Sequence, residues 1–163
     1  YWQHTGDFEP YLKEITDMMT PAYGQSELVK KLCAEFQTTD TCAVHVRGGD
    51  IVGPGRAFFE RALARMEKER SGLRYLVFTN DREAAKEALE GEHTERKMTY
   101  ISELGAFSDI DEFFLMAACR HQIISNSSYS TWAAYLNPNP EKVVIMPEYK
   151  GCEQIRLKEW IVL

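Results

Sequence analysis

From residue 41 onward, short apolar runs alternate with stretches whose apolar positions recur at helical spacing. Thr41 to Arg47 is nearly continuous in apolar character and predicts a buried strand. From Phe58 to Glu69, residues Phe58, Phe59, Ala62, Leu63 and Met66 fall on one side of a helix. Arg74 to Thr79 predicts a second strand. A helix over 81–89 follows, capped by Asn80 or Asp81. Met98 to Ile101 is a third, weaker strand. Ser108 caps a helix over 109–119, and Asp111 and Glu112 lie in its first turn, where the helix dipole favours acids. The pattern closes with a strand over 121–125, a helix over 130–136 and a strand over 142–146 that Pro147 stops.

Strands and helices in strict alternation, with short connections, predict a parallel sheet covered by helices on both faces. Right-handed crossovers make it a Rossmann-like, doubly wound α/β domain. Such sheets bind ligands at the carboxyl ends of their strands, near the point where strand order reverses. The first 39 residues have a different character. Phe8 to Met19 and Ser26 to Phe36 predict two amphipathic helices separated by Pro21 and Gly24. They either cover the sheet edge or form a hinge to another domain. The chain therefore divides into a helical lead-in at 1–39 and the Rossmann-like domain at 40–163.

Composition narrows the function classes. A chain of 163 residues is one domain, and 44% hydrophobic residues with interspersed charges fit a folded globular one. The formal net charge is −6, and Lys and Arg sit among acids, as in Arg65-Met66-Glu67-Lys68-Glu69-Arg70. A sequence-independent nucleic-acid binder needs a basic face, and none is visible. No apolar run reaches the ~20 residues that span a bilayer. The opening Tyr1-Trp2-Gln3 lacks an initiator methionine and reads as the start of a fragment. Cys33, Cys42, Cys119 and Cys152 lack the close pairing of a zinc or redox site. Cys42 and Cys119 read as small buried thiols, with disulfides left open.

Candidate chemistry lies where the strands end. The first strand runs into His45-Val46-Arg47-Gly48-Gly49-Asp50, and alternation sends His45 and Arg47 to one side. An arginine fork at a strand's carboxyl end makes two charge-assisted bonds to a phosphate, and the glycines let backbone amides come close. The alternative is that Arg47 pairs with Asp50 across a simple turn, and that His45 is a core histidine. The fourth strand ends in Ser125-Asn126-Ser127-Ser128-Tyr129-Ser130 and enters the helix that holds Trp132. Hydroxyls and free N–H groups at a helix start suit an anion, while Ser128 or Ser130 as an ordinary cap is the plain alternative. Asn126-Ser127-Ser128 also fits the glycosylation acceptor pattern, read here as a chance match. Thr79-Asn80-Asp81 either hydrogen-bonds a base or ribose or caps the next helix, and Asp111 is either a ligand or a first-turn acid.

Four segments together resemble the α1,2-fucosyltransferase family in order and spacing over nearly the whole chain. They are His45-Val46-Arg47-Gly48-Gly49-Asp50, Phe78-Thr79-Asn80-Asp81, the run from Asp111 through Met116 to Cys119, and Asn126 through Ala134. Tyr1-Trp2-Gln3 is similar to the family's aromatic-Gln segment ahead of the donor domain. The resemblance implies the C-terminal, donor-binding half of a two-domain GT-B glycosyltransferase. It implies GDP-fucose as donor substrate, a galactose-terminated glycan as acceptor, inversion at the fucose anomeric centre, and neither cofactor nor metal. It assigns the β-phosphate and the catalytic role to Arg47, with His45 lining the site. Ser127 and Ser128 contact the diphosphate, Asn80, Asp81 and Asp111 lie near the guanosine, and Gly48, Asn126 and Ser130 belong to the same donor-binding site. Such an enzyme is expected in the Golgi lumen, as part of a type II membrane protein, if eukaryotic, and in the cytoplasm if bacterial.

The chain departs from the family pattern at Gly48, where a second arginine is usual, at Thr131 for the first tryptophan of a pair, and at Asn80 for the first acid of a pair. Gly48 motivates a rival reading, a GDP-sugar-binding homologue that no longer transfers sugar. A dinucleotide-binding Rossmann enzyme is disfavoured because no G-x-G-x-x-G follows the first strand.

Overall fold

The computed structural model describes residues 4–19, 21, 24–49, 53–89 and 96–163. Tyr1-Trp2-Gln3 and Asp50, both invoked above, lie outside the described residues. Among the described residues the sheet has six strands, all parallel: β1 (Thr41–Val46), β2 (Arg74–Thr79), β3 (Met98–Tyr100), β4 (His121–Ile123), β5 (Val144–Met146) and β6 (Ile161–Val162). Their order is β3-β2-β1-β4-β5-β6, the doubly wound arrangement expected from the strand–helix alternation. The order reverses between β1 and β4, so the carboxyl ends of those two strands flank the switch point.

The apolar periodicity accounts for both faces. Cys42, Val44 and Val46 of β1 pack under α4 (Arg56–Glu69), on Phe58, Phe59, Ala62, Leu63 and Met66, and under Ala85 and Leu89 of α5 (Arg82–Leu89). Ala43 turns to the other face, into a cluster with Val29, Leu32 and Phe36 of α3 (Glu27–Thr38) and Leu115 and Met116 of α6 (Asp109–Ala118). Thr41 Oγ1 donates to Phe36 O at 2.8 Å, tying the end of α3 to the start of β1. The helix α3, which belongs by sequence to the lead-in, thus shares its packing with the sheet. Cys42 and Cys119 are fully buried, and all four cysteines are free thiols.

Three sequence expectations are corrected. The single helix expected over 8–19 is broken into α1 (Thr5–Phe8), a 3-10 turn at Glu9–Tyr11 and α2 (Leu12–Met18). Pro10 stands at the start of that turn, where a residue with no N–H cannot continue the α1 ladder. The helix expected over 130–136 begins two residues earlier, as α7 (Ser128–Leu136). Its N-cap is Ser127, in extended backbone, rather than Ser128 or Ser130, and Ser127 O accepts from Thr131 N at 3.0 Å. The sixth strand was not foreseen. Two residues carry no periodicity, and β6 exists because α8 (Cys152–Ile155) returns the chain to pair Ile161 with Ile145 and Val162 with Met146. Other boundaries shift by a few residues, as strand and helix ends usually do. Among the described residues no helix is long and apolar enough to cross a membrane.

Candidate active site

Arg47 leaves the carboxyl end of β1 at the switch point. The backbone around it is held tightly. Gly48 N donates to Asn80 Oδ1 at 3.0 Å, and Asn80 Nδ2 donates to Gly48 O at 3.1 Å, so one side chain clamps both polar groups of the next residue. Gly49 has φ +88°, in the left-handed region that glycine enters without cost. Gly53 lies over Arg47: a Cβ there would stand 2.7 Å from Arg47 O.

Facing Arg47 is the start of α7. The two line a cavity of about 550 Å³ with Asn126, Ser127, Ser128 and Tyr129. Aromatic rings of Phe8, Trp132, Tyr135 and Tyr149 line it as well, and Lys150, Gly151 and Gln154 enter from the turn after β5 and from α8. Among the described residues no carboxylate lines the cavity, although the chain carries net charge −6. The N-terminus of α7 contributes free N–H groups and the positive end of its dipole. A concave site with two cations, a helix start, hydroxyls and an aromatic wall has the chemistry to hold an anion beside an apolar or aromatic group.

The helix that provides this start is anchored from behind. Gln122 Nε2 donates to Met116 O at 3.0 Å and Ala133 O at 3.3 Å, joining β4 to α6 and α7. Asn137 Nδ2 donates to Cys119 O at 2.7 Å. Lys142 Nζ donates to Ala134 O and Asn137 O, both at 2.9 Å, which places a cation at the negative end of the α7 dipole. Burial holds the Lys142 pKa below its ordinary value.

The sequence of this fold settles where it belongs. The profile of glycosyl transferase family 11 matches residues 24–163. The chain belongs to glycosyltransferase family 11. That membership bears out the resemblance carried by the four motifs. Two relatives come from Escherichia coli. The O-antigen biosynthesis glycosyltransferase WbnK is 28% identical over 151 residues, covering 80% of this chain and 48% of that protein. An alpha-1,2-colitosyltransferase is 27% identical over 157 residues, covering 90% of this chain and 53% of the relative. The family 11 chain thus spans about half the length of these relatives. No solved structure matches it.

Within this family 11 domain the sequence-predicted residues separate into two groups. Arg47, Asn126, Ser127 and Ser128 come together on the cavity. The others stand outside its lining. His45 is buried behind it, with Nδ1 sharing a hydrogen bond with Ser125 Oγ at 2.8 Å and its ring 5.8 Å from that of Tyr129. Burial, and then the Arg47 charge, lower its pKa from 6.5 to about 4, so the ring is neutral at neutral pH. Ser130 is fully buried and donates to Ser127 O at 3.2 Å, an intrahelical bond. Asn80 holds Gly48. Asp81 caps α5, its Oδ1 accepting from Ala84 N at 3.0 Å. Asp111 Oδ2 accepts from Ser108 N at 3.1 Å and Ser108 Oγ at 2.7 Å, completing the capping box of α6.

Sequence reasoning missed Lys150 and the aromatic wall. Lys150 follows the carboxyl end of β5, so the rule that led to Arg47 and Asn126 would have found it if carried past Pro147. Phe8 had no such signal. Its ring stacks on Trp132 at 5.4 Å only because the N-terminal segment folds back across the sheet. Among the described residues no group of three or more His, Cys, Asp or Glu side chains stands close enough to hold a metal ion.

Proposed function

We propose that this chain is the donor-binding part of a GDP-fucose-dependent glycosyltransferase that forms an α1,2 linkage to a galactose hydroxyl with inversion. One observation carries the reading: Arg47 faces the serine-lined start of α7 across a single cavity at the sheet's switch point. Family membership supports a sugar-nucleotide donor, and the name of one relative, an alpha-1,2-colitosyltransferase, supports the linkage.

In this proposal the diphosphate lies between Arg47 and the N-terminus of α7. The bond between the fucose anomeric carbon and the β-phosphate oxygen breaks, and its electron pair leaves with the diphosphate. The acceptor hydroxyl oxygen bonds the anomeric carbon from the opposite face, and its proton passes to water. Arg47 and the helix dipole hold the negative charge that develops on the leaving group. His45, neutral and fixed by Ser125, keeps the floor under Arg47 free of competing charge. Asn80 and Asp81 serve the site by holding the loop after β1. Asp111 has a second carboxylate oxygen beyond its Ser108 bonds, suited to the N–H edge of guanine.

The test is a binding titration with GDP, GDP-fucose and GDP-mannose. GDP and GDP-fucose are expected to bind in the micromolar-to-millimolar range without added metal, and GDP-fucose more tightly than GDP-mannose. An absence of GDP binding at millimolar concentration would end the proposal.

A further inference from the structure

Gly48 is the feature that favours a homologue unable to transfer sugar, since the family pattern has a second arginine there. The structure shows what a side chain at position 48 would meet. Its Cβ would lie 2.6 Å from Asp81 Cβ, 3.1 Å from Asp81 Oδ2 and 3.2 Å from Ala84 Cβ. These atoms form the start of α5, and Asp81 belongs to a separate depression of mixed charge with Arg56, Glu83, Lys86 and Glu87. Position 48 in this backbone therefore points away from the Arg47 cavity. The Asn80 clamp on both polar groups of Gly48 holds it in that orientation.

The cavity nevertheless holds a second cation. Lys150 sits in the turn between β5 and α8, next to Gly151, which has φ +93° and is the N-cap of α8. It is exposed, and among the described residues it makes no ion pair or side-chain hydrogen bond. Among the described residues that line the cavity there is no carboxylate to neutralise it. Lysine suits this place, because a compact ammonium on a flexible stem reaches a phosphate oxygen without the fixed fork geometry that arginine requires.

We infer that Lys150 is the second diphosphate ligand of this site and takes over the charge that position 48 no longer carries. The inference rests on the reading of Arg47 as the first ligand. It makes Gly48 a relocation of positive charge rather than the mark of a lost site.

The test compares Lys150→Met, Lys150→Arg and Arg47→Ala with the parent chain, titrating GDP and guanosine and following the fold by circular dichroism. Lys150→Met is expected to weaken GDP by about tenfold, the size of one lost charge-assisted contact, and to leave guanosine unchanged. Raising salt should weaken GDP less steeply in this variant than in the parent. Lys150→Arg should retain most of the affinity. If Arg47→Ala loses GDP while Lys150→Met does not, the inference is overturned and the proposed function stands. If Lys150→Met weakens GDP and guanosine equally, Lys150 shapes the turn and is no diphosphate ligand. If GDP is indifferent to Arg47→Ala, the reading of the site as a diphosphate site fails first, and the inference falls with it.

Discussion

Arg47 and Gly48 are neighbours after β1 that answer to different constraints. Arg47 is placed for its charge. Replacing it with alanine should reduce GDP affinity by about tenfold or more while the circular dichroism spectrum is kept, and unchanged affinity would refute the site assignment. Gly48 is placed for its lack of a side chain. Gly48→Arg is expected to cost about 1–3 kcal/mol through overpacking against Asp81, seen as a lower urea midpoint, and to bring no gain in GDP affinity. A third residue-scale effect concerns pH. His45 and His121 are both depressed from 6.5 to about 4, by burial first, and then by Arg47 for His45 and by Arg70 and Arg120 for His121. Because the folded pKa lies below the unfolded one, the unfolded chain binds protons first as pH falls. Stability is full above pH 6.5 and is lost progressively toward pH 4, by up to about 3 kcal/mol for fully buried His45. Urea midpoints at pH 7 and pH 5 measure this loss, and His45→Gln should reduce the difference between them.

At the scale of elements, α7 decides whether the site exists. Its apolar and small residues fix which face is buried, but its aim depends on hydrogen bonds at its far end, from Asn137, Gln122 and Lys142. Asn137→Ala would leave Cys119 O without that donor and free the C-terminus of α7 from β4. The expected loss is about 1–3 kcal/mol of stability, with a several-fold drop in GDP affinity as the helix start moves away from Arg47. A variant destabilised by that amount with unchanged GDP affinity would show that α7 is not the anion-binding helix. The capping of α6 was legible beforehand because Ser108 and Asp111 are three residues apart, the spacing of a capping box. The start of α7 was harder to read. Five of the six residues 125–130 are Ser or Asn, and each of them is a plausible cap, so local preference did not choose.

For the whole molecule, the decisive feature is that segments distant in sequence share one cavity. Phe8 of α1 stacks on Trp132 and meets Tyr135 edge-on, both centroids at 5.4 Å, and Thr5 Oγ1 donates to Gln154 O at 3.2 Å. Phe8→Ala should cost about 3 kcal/mol and make the segment before α3 cleave faster in limited proteolysis, since its main apolar anchor would be gone. The chain covers about half of its relatives' length, and in our proposal it holds the donor while the remainder of such a protein presents the acceptor. The chain alone is therefore expected to bind GDP-fucose and to transfer no sugar. Transfer to a galactoside by the isolated chain, measured as GDP release, would show that the acceptor site lies within these residues.

By itself the sequence determined the order of strands and helices, the parallel sheet, and the candidacy of Arg47 and the 126–128 run. Those features rest on periodicity and on strand ends, and both are properties of neighbouring residues along the chain. Tertiary structure alone decided that Lys150 and Phe8 join Arg47, that Asn80 clamps Gly48, that position 48 points at α5, and that Ile161–Val162 forms a strand. Each of these is a contact between segments far apart in sequence. Such contacts arise only when the crossovers close and the strand order brings β1, β4 and β5 side by side, and no local pattern encodes which side chains then meet.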